Sequence, residues 1–122
     1  MKLLARQDKL FKVFTTAARE WINKFNLNDY YWEFRQAEME DSWACYYLNE
    51  NTKVILVELN DQIAKGPNPD KLVLECALHE VAEAGLLGMC KIMMGEGNWT
   101  EEQIESAIHS VVFRLQRVLI GE

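Results

Sequence analysis

The segment Cys76-Ala77-Leu78-His79-Glu80-Val81-Ala82-Glu83-Ala84-Gly85-Leu86-Leu87 decides how this chain is read. Its apolar positions fit a helix, and the flanking residues bound it. Asn68 is placed to cap free backbone N–H groups, Pro69 suits the first helical position, and Gly95-Glu96-Gly97-Asn98 breaks the pattern. One helix is therefore expected from Pro69 to about Met94, with Leu74, Leu78, Val81, Gly85, Met89 and Ile92 on its core face. Gly85 lowers helix propensity there but lets another element approach closely.

On such a helix His79 and Glu83 project from the same side and can meet one ion. Glu80 lies about 100° around the axis from His79, beside such an ion rather than on it. This is the logic of an H-E-x-x-H helix, two ligands one turn apart with the intervening glutamate as general base, except that Glu83 stands at the second ligand position. Two side chains do not complete a tetrahedral site. The only other histidine is His109, which flanks an apolar stripe later in the chain. His79, Glu83 and His109 would supply two imidazoles and a carboxylate and leave a fourth position for water, the ligand composition of a catalytic zinc. Glu105, one turn before His109, is a competing ligand or a partner that orients the His109 ring.

Working outward, Phe11, Phe14, Ala18, Trp21, Ile22 and Phe25 recur at helical spacing over Leu10–Phe25, and Asn26-Leu27-Asn28-Asp29 stops that helix. Three strand-length stretches follow, Tyr31–Met39, Ser42–Leu48 and Lys53–Leu59, separated by Glu40-Asp41 and Asn49-Glu50-Asn51. The short connections predict a three-stranded antiparallel meander, with Lys53–Leu59 as its best-covered strand. Trp32, Trp43, Tyr46 and Tyr47 are expected to spend their rings on the core rather than on a ligand surface. Gln62–Pro67 is expected to be a loop. Thr100-Glu101-Glu102-Gln103 has capping-box form and opens a last helix with Ile104, Ile108, Val111, Leu115 and Val118 inward. The expected order is helix, three strands, helix, helix: one α+β domain over residues 1–122.

Bulk properties exclude several classes. The chain has 122 residues, 49% hydrophobic and 26% charged, which suits one domain with a core and not a disordered chain. Its net charge of -6, from 19 acidic against 13 basic residues, disfavours nucleic acid as a partner. The acidic residues are scattered, as on a solvated surface, rather than gathered into a patch for a basic partner. No apolar run approaches the roughly 18 residues that span a bilayer, and the N-terminus turns polar too early for a secretory signal. A cytoplasmic location is expected. Cys45, Cys76 and Cys90 lack C-x-x-C spacing and suit reduced, mostly buried thiols.

The element order, the segment Cys76–Leu87 and the segment His109-Ser110-Val111-Val112-Phe113-Arg114-Leu115 resemble the minimal zincin-like proteins encoded by phages and mobile elements. That family carries a leading helix, a small antiparallel sheet, an H-E-x-x-H helix and a final helix with a glutamate before a Val-x-Arg-Leu-like run. The chain departs from it at two places. Glu83 stands where the family has its second histidine, and His109 stands where the family's last helix offers a glutamate. In one alignment the two ligands have traded places; in a register one turn earlier Glu105 is the aligned residue and the site keeps a single histidine. The resemblance implies a zinc-dependent, peptidase-like hydrolase acting on a peptide or protein. In it zinc polarises the scissile carbonyl and activates water, and Glu80 moves the proton. The alternative it implies is an inactive zincin-like scaffold, an accessory or inhibitor protein that binds a partner protein.

Overall fold

The most continuously apolar strand takes the middle of the sheet. In the computed structural model, which describes residues 2–121, β3 (Val54–Asn60) pairs with both β1 (Tyr31–Ala37) and β2 (Ala44–Asn49), giving the order β1-β3-β2. Ile55, Val57 and Leu59 of β3 are fully buried, as expected of a strand covered by neighbours on both edges. The β2–β3 pair is antiparallel, from Ala44 opposite Leu59 to Asn49 opposite Val54. Asn49 Oδ1 accepts from the Asn51 and Thr52 N–H groups at 3.1 and 3.2 Å and closes that hairpin.

The expected antiparallel meander is corrected at β1, which runs parallel to β3, with Tyr31 opposite Val54 and Ala37 opposite Asn60. The sheet is mixed because β1 and β2 are not neighbours. Residues 38–43 cross the end of β3 instead of forming a hairpin. Skipping one strand needs roughly 10 Å, well within the reach of six extended residues. Asn60, at the end of β3, fastens the crossing: its Nδ2 donates to the carbonyls of Met39 and Ser42 at 3.2 and 2.9 Å.

Helix α1 (Lys2–Lys24) begins well before the expected Leu10. The added turns are held by a buried polar residue that apolar periodicity does not register. Gln7 donates to Gln36 Oε1 at 2.9 Å and to the Asn60 carbonyl at 3.1 Å, and accepts from the Ala64 N–H at 3.1 Å. Of the expected stripe, Phe14, Ala18 and Ile22 are buried against the sheet and against Val73, Ala77 and Val81, while Phe11, Trp21 and Phe25 are half-buried at its edge; Leu10 and Ala17, outside that stripe, are buried as well. One short helical turn, Ile63–Lys65, interrupts the expected Gln62–Pro67 loop.

The long helix from Pro69 to Met94 is also corrected. Helix α2 (Pro69–Val81) passes into a π-turn (Ala82–Leu86), and α3 (Gly88–Gly95) follows after Leu87. The Leu87 N–H reaches back to the Ala82 carbonyl at 3.1 Å, the five-residue step of a π-turn. Close packing accompanies the break. A Cβ on Gly85 would lie 2.5 Å from Leu27 Cδ1 and 3.1 Å from the Trp32 ring, and one on Gly88 would lie 2.6 Å from Leu48 Cδ2. The extra residue turns the later positions out of the expected face. Leu78, Val81 and the Gly85 contact belong to the core, whereas Met89 and Ile92 are exposed; Leu74, which precedes the π-turn, is exposed too, so its place on the core face is corrected independently of that turn. Asn68 lies in the left-handed region (φ 45) and makes no side-chain cap; its carbonyl instead accepts from the Leu72 N–H at 2.9 Å.

Helix α4 (Glu101–Gln116) has the expected capping box, with both reciprocal Thr100–Gln103 bonds present. Its buried positions are Ile104, Ile108 and Val112, packed on Leu78 and Ala82; Val111 and Val118 are exposed, contrary to expectation. Steps of four keep the stripe against α2, whereas a step of three to Val111 turns away from it. Cys90 is exposed and Cys45 and Cys76 are half-buried, so burial of the thiols is corrected for Cys90. Trp32 is buried, Trp43 and Tyr46 are half-buried, and Tyr47 is exposed on the uncovered sheet face. No helix among the described residues is long and apolar enough to cross a membrane.

Candidate metal centre

The buried stripe of α4 fixes what lies beside it. With Ile104, Ile108 and Val112 inward, Glu105, His109, Phe113 and Gln116 fall on the adjoining edge and face the end of α2. His79 sits in the last turn of α2 and Glu83 on the π-turn that follows. The three candidate ligands converge. His79 Nε2 lies 3.0 Å and His109 Nε2 3.4 Å from the same oxygen, Glu83 Oε2, and the three ligand atoms all fall within 4.8 Å of one another. A tetrahedral zinc with bonds of about 2.0–2.1 Å spaces its ligands about 3.3 Å apart, so the two measured separations bracket the required edge. The donor set suits zinc, and two of its three spacings lie near the tetrahedral edge.

Each ligand is oriented from behind. Gln116 Oε1 lies 3.3 Å from His79 Nδ1, where it accepts from a ring protonated at that nitrogen, and Nε2 is turned toward Glu83. Glu83 Oε1 is approached by the Tyr46 hydroxyl at 3.3 Å and the Lys91 ammonium at 3.4 Å, leaving Oε2 to the two imidazoles. The His79, His109 and Phe113 rings pack together at centroid distances of 5.5 to 6.1 Å. Glu105 is not among the three converging ligands. Its Oε1 is held 2.8 Å from Lys91 Nζ, and its Oε2 lies 3.7 Å from His109 Nε2.

Two carboxylates three residues apart are driven in opposite directions. Burial raises the Glu83 pKa, but the His79 hydrogen bond and the charges of His79, Lys91 and His109 outweigh it and bring the group down to about 2. Glu80 has no hydrogen-bond partner among the described residues and is 7% exposed; burial pushes it up to about 7. The His79 ring is pulled down by burial and raised more strongly by Glu83, Glu80 and Gln116, and ends above its ordinary value.

Glu80 and His79 line a cleft of about 230 Å³ whose walls are Trp43, Ala44, Glu75, Cys76, Phe113 and Gln116. Burial, then the charges of Glu80 and Glu75, push the Cys76 thiol up to about 12, so it stays protonated at neutral pH in the metal-free protein. The cleft places a poised carboxyl next to a metal-competent triad, a combination suited to moving a proton beside a Lewis acid.

Lys91 and Gln116 were not singled out in the sequence, and Tyr46 was expected to serve the core rather than to bond Glu83. Lys91 follows Glu83 by eight residues, which on an uninterrupted α-helix is about 80° off the Glu83 side. The π-turn absorbs one residue, leaving the spacing near two full turns and bringing Lys91 over Glu83. Comparison with family models, with curated proteins and with solved structures finds no match for this chain.

Proposed function

We propose that the chain is a zinc-dependent hydrolase of peptide bonds, with His79, Glu83 and His109 as metal ligands and Glu80 as general base. The observation that carries this reading is the convergence of both imidazoles on one Glu83 oxygen beside a cleft into which Glu80 is placed. Zinc, when bound there, would polarise the scissile carbonyl and make a neighbouring water more acidic. Glu80 would then take a proton from water and return it to the leaving amine; in the metal-free protein burial holds its carboxyl at about 7, well above an ordinary glutamate. Trp43 and Phe113 supply apolar walls for the substrate on either side of the cleft, and Gln116 holds His79 while the proton moves.

The test is the metal content of protein purified without a histidine tag or added metal. About one zinc per chain is expected, lost in His79→Ala and in His109→Ala. Glu80→Gln is expected to keep the zinc and lose peptide hydrolysis. Absence of zinc at micromolar supply overturns the proposal. A second reading, a zincin-like scaffold in the cytoplasm that binds a partner protein without catalysis, is favoured by the exposed Met93, Trp99 and Phe113 of the α3–α4 region. A biological function that survives Glu80→Gln selects that reading.

A further inference from the structure

Resting on the zinc reading above, we propose that Lys91 keeps the fourth coordination position open by holding Glu105 away from the metal. With Glu105 beside the triad, four candidate ligand groups stand together, one more than a catalytic zinc site uses. His109 Nε2 is 3.4 Å from Glu83 Oε2 and 3.7 Å from Glu105 Oε2, so a second carboxylate lies almost as near to the His109 ligand atom as the first does. Glu105 precedes His109 by one helical turn and projects from the same side of α4. If Glu105 swung onto the metal, two histidines and two carboxylates would close the tetrahedron, and the centre would be structural rather than catalytic.

Lys91 decides between these two states. Its ammonium lies 2.8 Å from Glu105 Oε1 and 3.4 Å from Glu83 Oε1, and within 3.5 Å of the Tyr46 hydroxyl. One cation thus engages the outer oxygen of both carboxylates. For Glu83 this leaves Oε2 as the single oxygen facing the imidazoles. For Glu105 it draws the carboxylate toward α3. The Lys91 side chain is 32% exposed and therefore partly shielded from the water that weakens surface ion pairs. The π-turn is part of the device, because it carries Lys91 over Glu83 and faces it to α4.

The test loads the protein with Co(II) in place of zinc and follows the visible spectrum with and without azide, an anion that enters an open coordination position. Wild type and Lys91→Arg are expected to respond to azide. Lys91→Met is expected to show an intense four-ligand spectrum that azide does not change, with Co(II) bound at least tenfold more tightly. The double variant Lys91→Met with Glu105→Gln restores the azide response, which separates ligand capture from mere removal of a positive charge. Lys91→Gln, with the same expected spectrum, serves if the methionine variant lacks a native circular-dichroism spectrum. An azide response in Lys91→Met equal to wild type overturns the inference, as does a double variant that stays unresponsive. Failure of wild type to bind either metal overturns the zinc reading, and this inference with it.

Discussion

Replacing Glu80 with glutamine should make the metal-free protein more stable, and more so as the pH rises. Glu80 is almost fully buried, no described group hydrogen-bonds its carboxyl, and its charge is opposed chiefly by burial, which lifts it from 4.5 to about 7. Its folded-state pKa therefore lies above the unfolded value. Between pH 4.5 and 7 the native state holds a proton that the unfolded state has released, so stability falls with rising pH in that window. At about 1.4 kcal/mol per pH unit, the loss reaches about 3 kcal/mol once Glu80 is ionised in both states. That is a large share of the roughly 5–15 kcal/mol that holds a domain folded. Glutamine never ionises, so the variant escapes this loss. The measurement is urea unfolding with a chelator present, followed by tryptophan fluorescence at pH 5, 6, 7 and 8. The difference in unfolding free energy, variant minus wild type, should climb through the series and level off above pH 7. The slope removes any constant effect of exchanging one side chain for another. A flat difference, or a variant that loses ground as the pH rises, would refute the idea that Glu80 is a desolvated, unpartnered carboxyl.

Three further outcomes are expected. Glu83→Gln should destabilise the metal-free protein by about 3 kcal/mol at pH 7, because its folded pKa of about 2 lies below 4.5. That contribution is complete above pH 4.5 and disappears as pH falls toward 2, so the gap between variant and wild type in acid titrations should close over the same range. Gln116→Ala should lower zinc affinity 10- to 100-fold in a competition titration by freeing the His79 ring, while leaving stability without metal nearly unchanged. Gly85→Ala should lower stability by about 1–3 kcal/mol in thermal unfolding, since the new methyl would meet Leu27 and Trp32, outweighing the gain in helix propensity of about 1 kcal/mol.

The elements were legible where one local signal controlled them. The α1 stripe, the β2–β3 hairpin and the Thr100–Gln103 capping box each depend on residues close in sequence, and each forms. The failures share a cause of the opposite kind. Strand β1 goes to the far edge across a loop whose Met39 and Ser42 carbonyls accept from Asn60, more than 15 residues downstream. The α2 helix breaks where Gly85 and Gly88 meet Leu27, Trp32 and Leu48 from earlier elements. Gly85 was readable as a close-approach position, but a π-turn has no period of its own in the pattern, so the rotation of α3 was not. The same rotation explains why His79 and Glu83 could be paired by spacing and Lys91 could not.

The separation of Glu80 from Glu83 is the part of the site that spacing alone does not explain. Both are glutamates on one helical segment, both are nearly inaccessible, and burial raises both pKa values. What differs is the company each side chain keeps. Glu83 faces two imidazoles, an ammonium and a phenol, so its charge is balanced before any metal arrives, and it remains ionised as a ligand must. Glu80 faces the cleft with no hydrogen-bond partner among the described residues, and burial brings its two protonation states close in energy near neutral pH in the metal-free protein. A ligand and a base need these opposite conditions. On the proposed zinc reading, having a glutamate rather than a histidine at position 83 makes the arrangement depend on Lys91. A carboxylate at position 83 brings a second oxygen that a histidine would not, and that oxygen needs a cation behind it. Lys91 supplies one, and Glu105 on the far side of the ammonium keeps it in place.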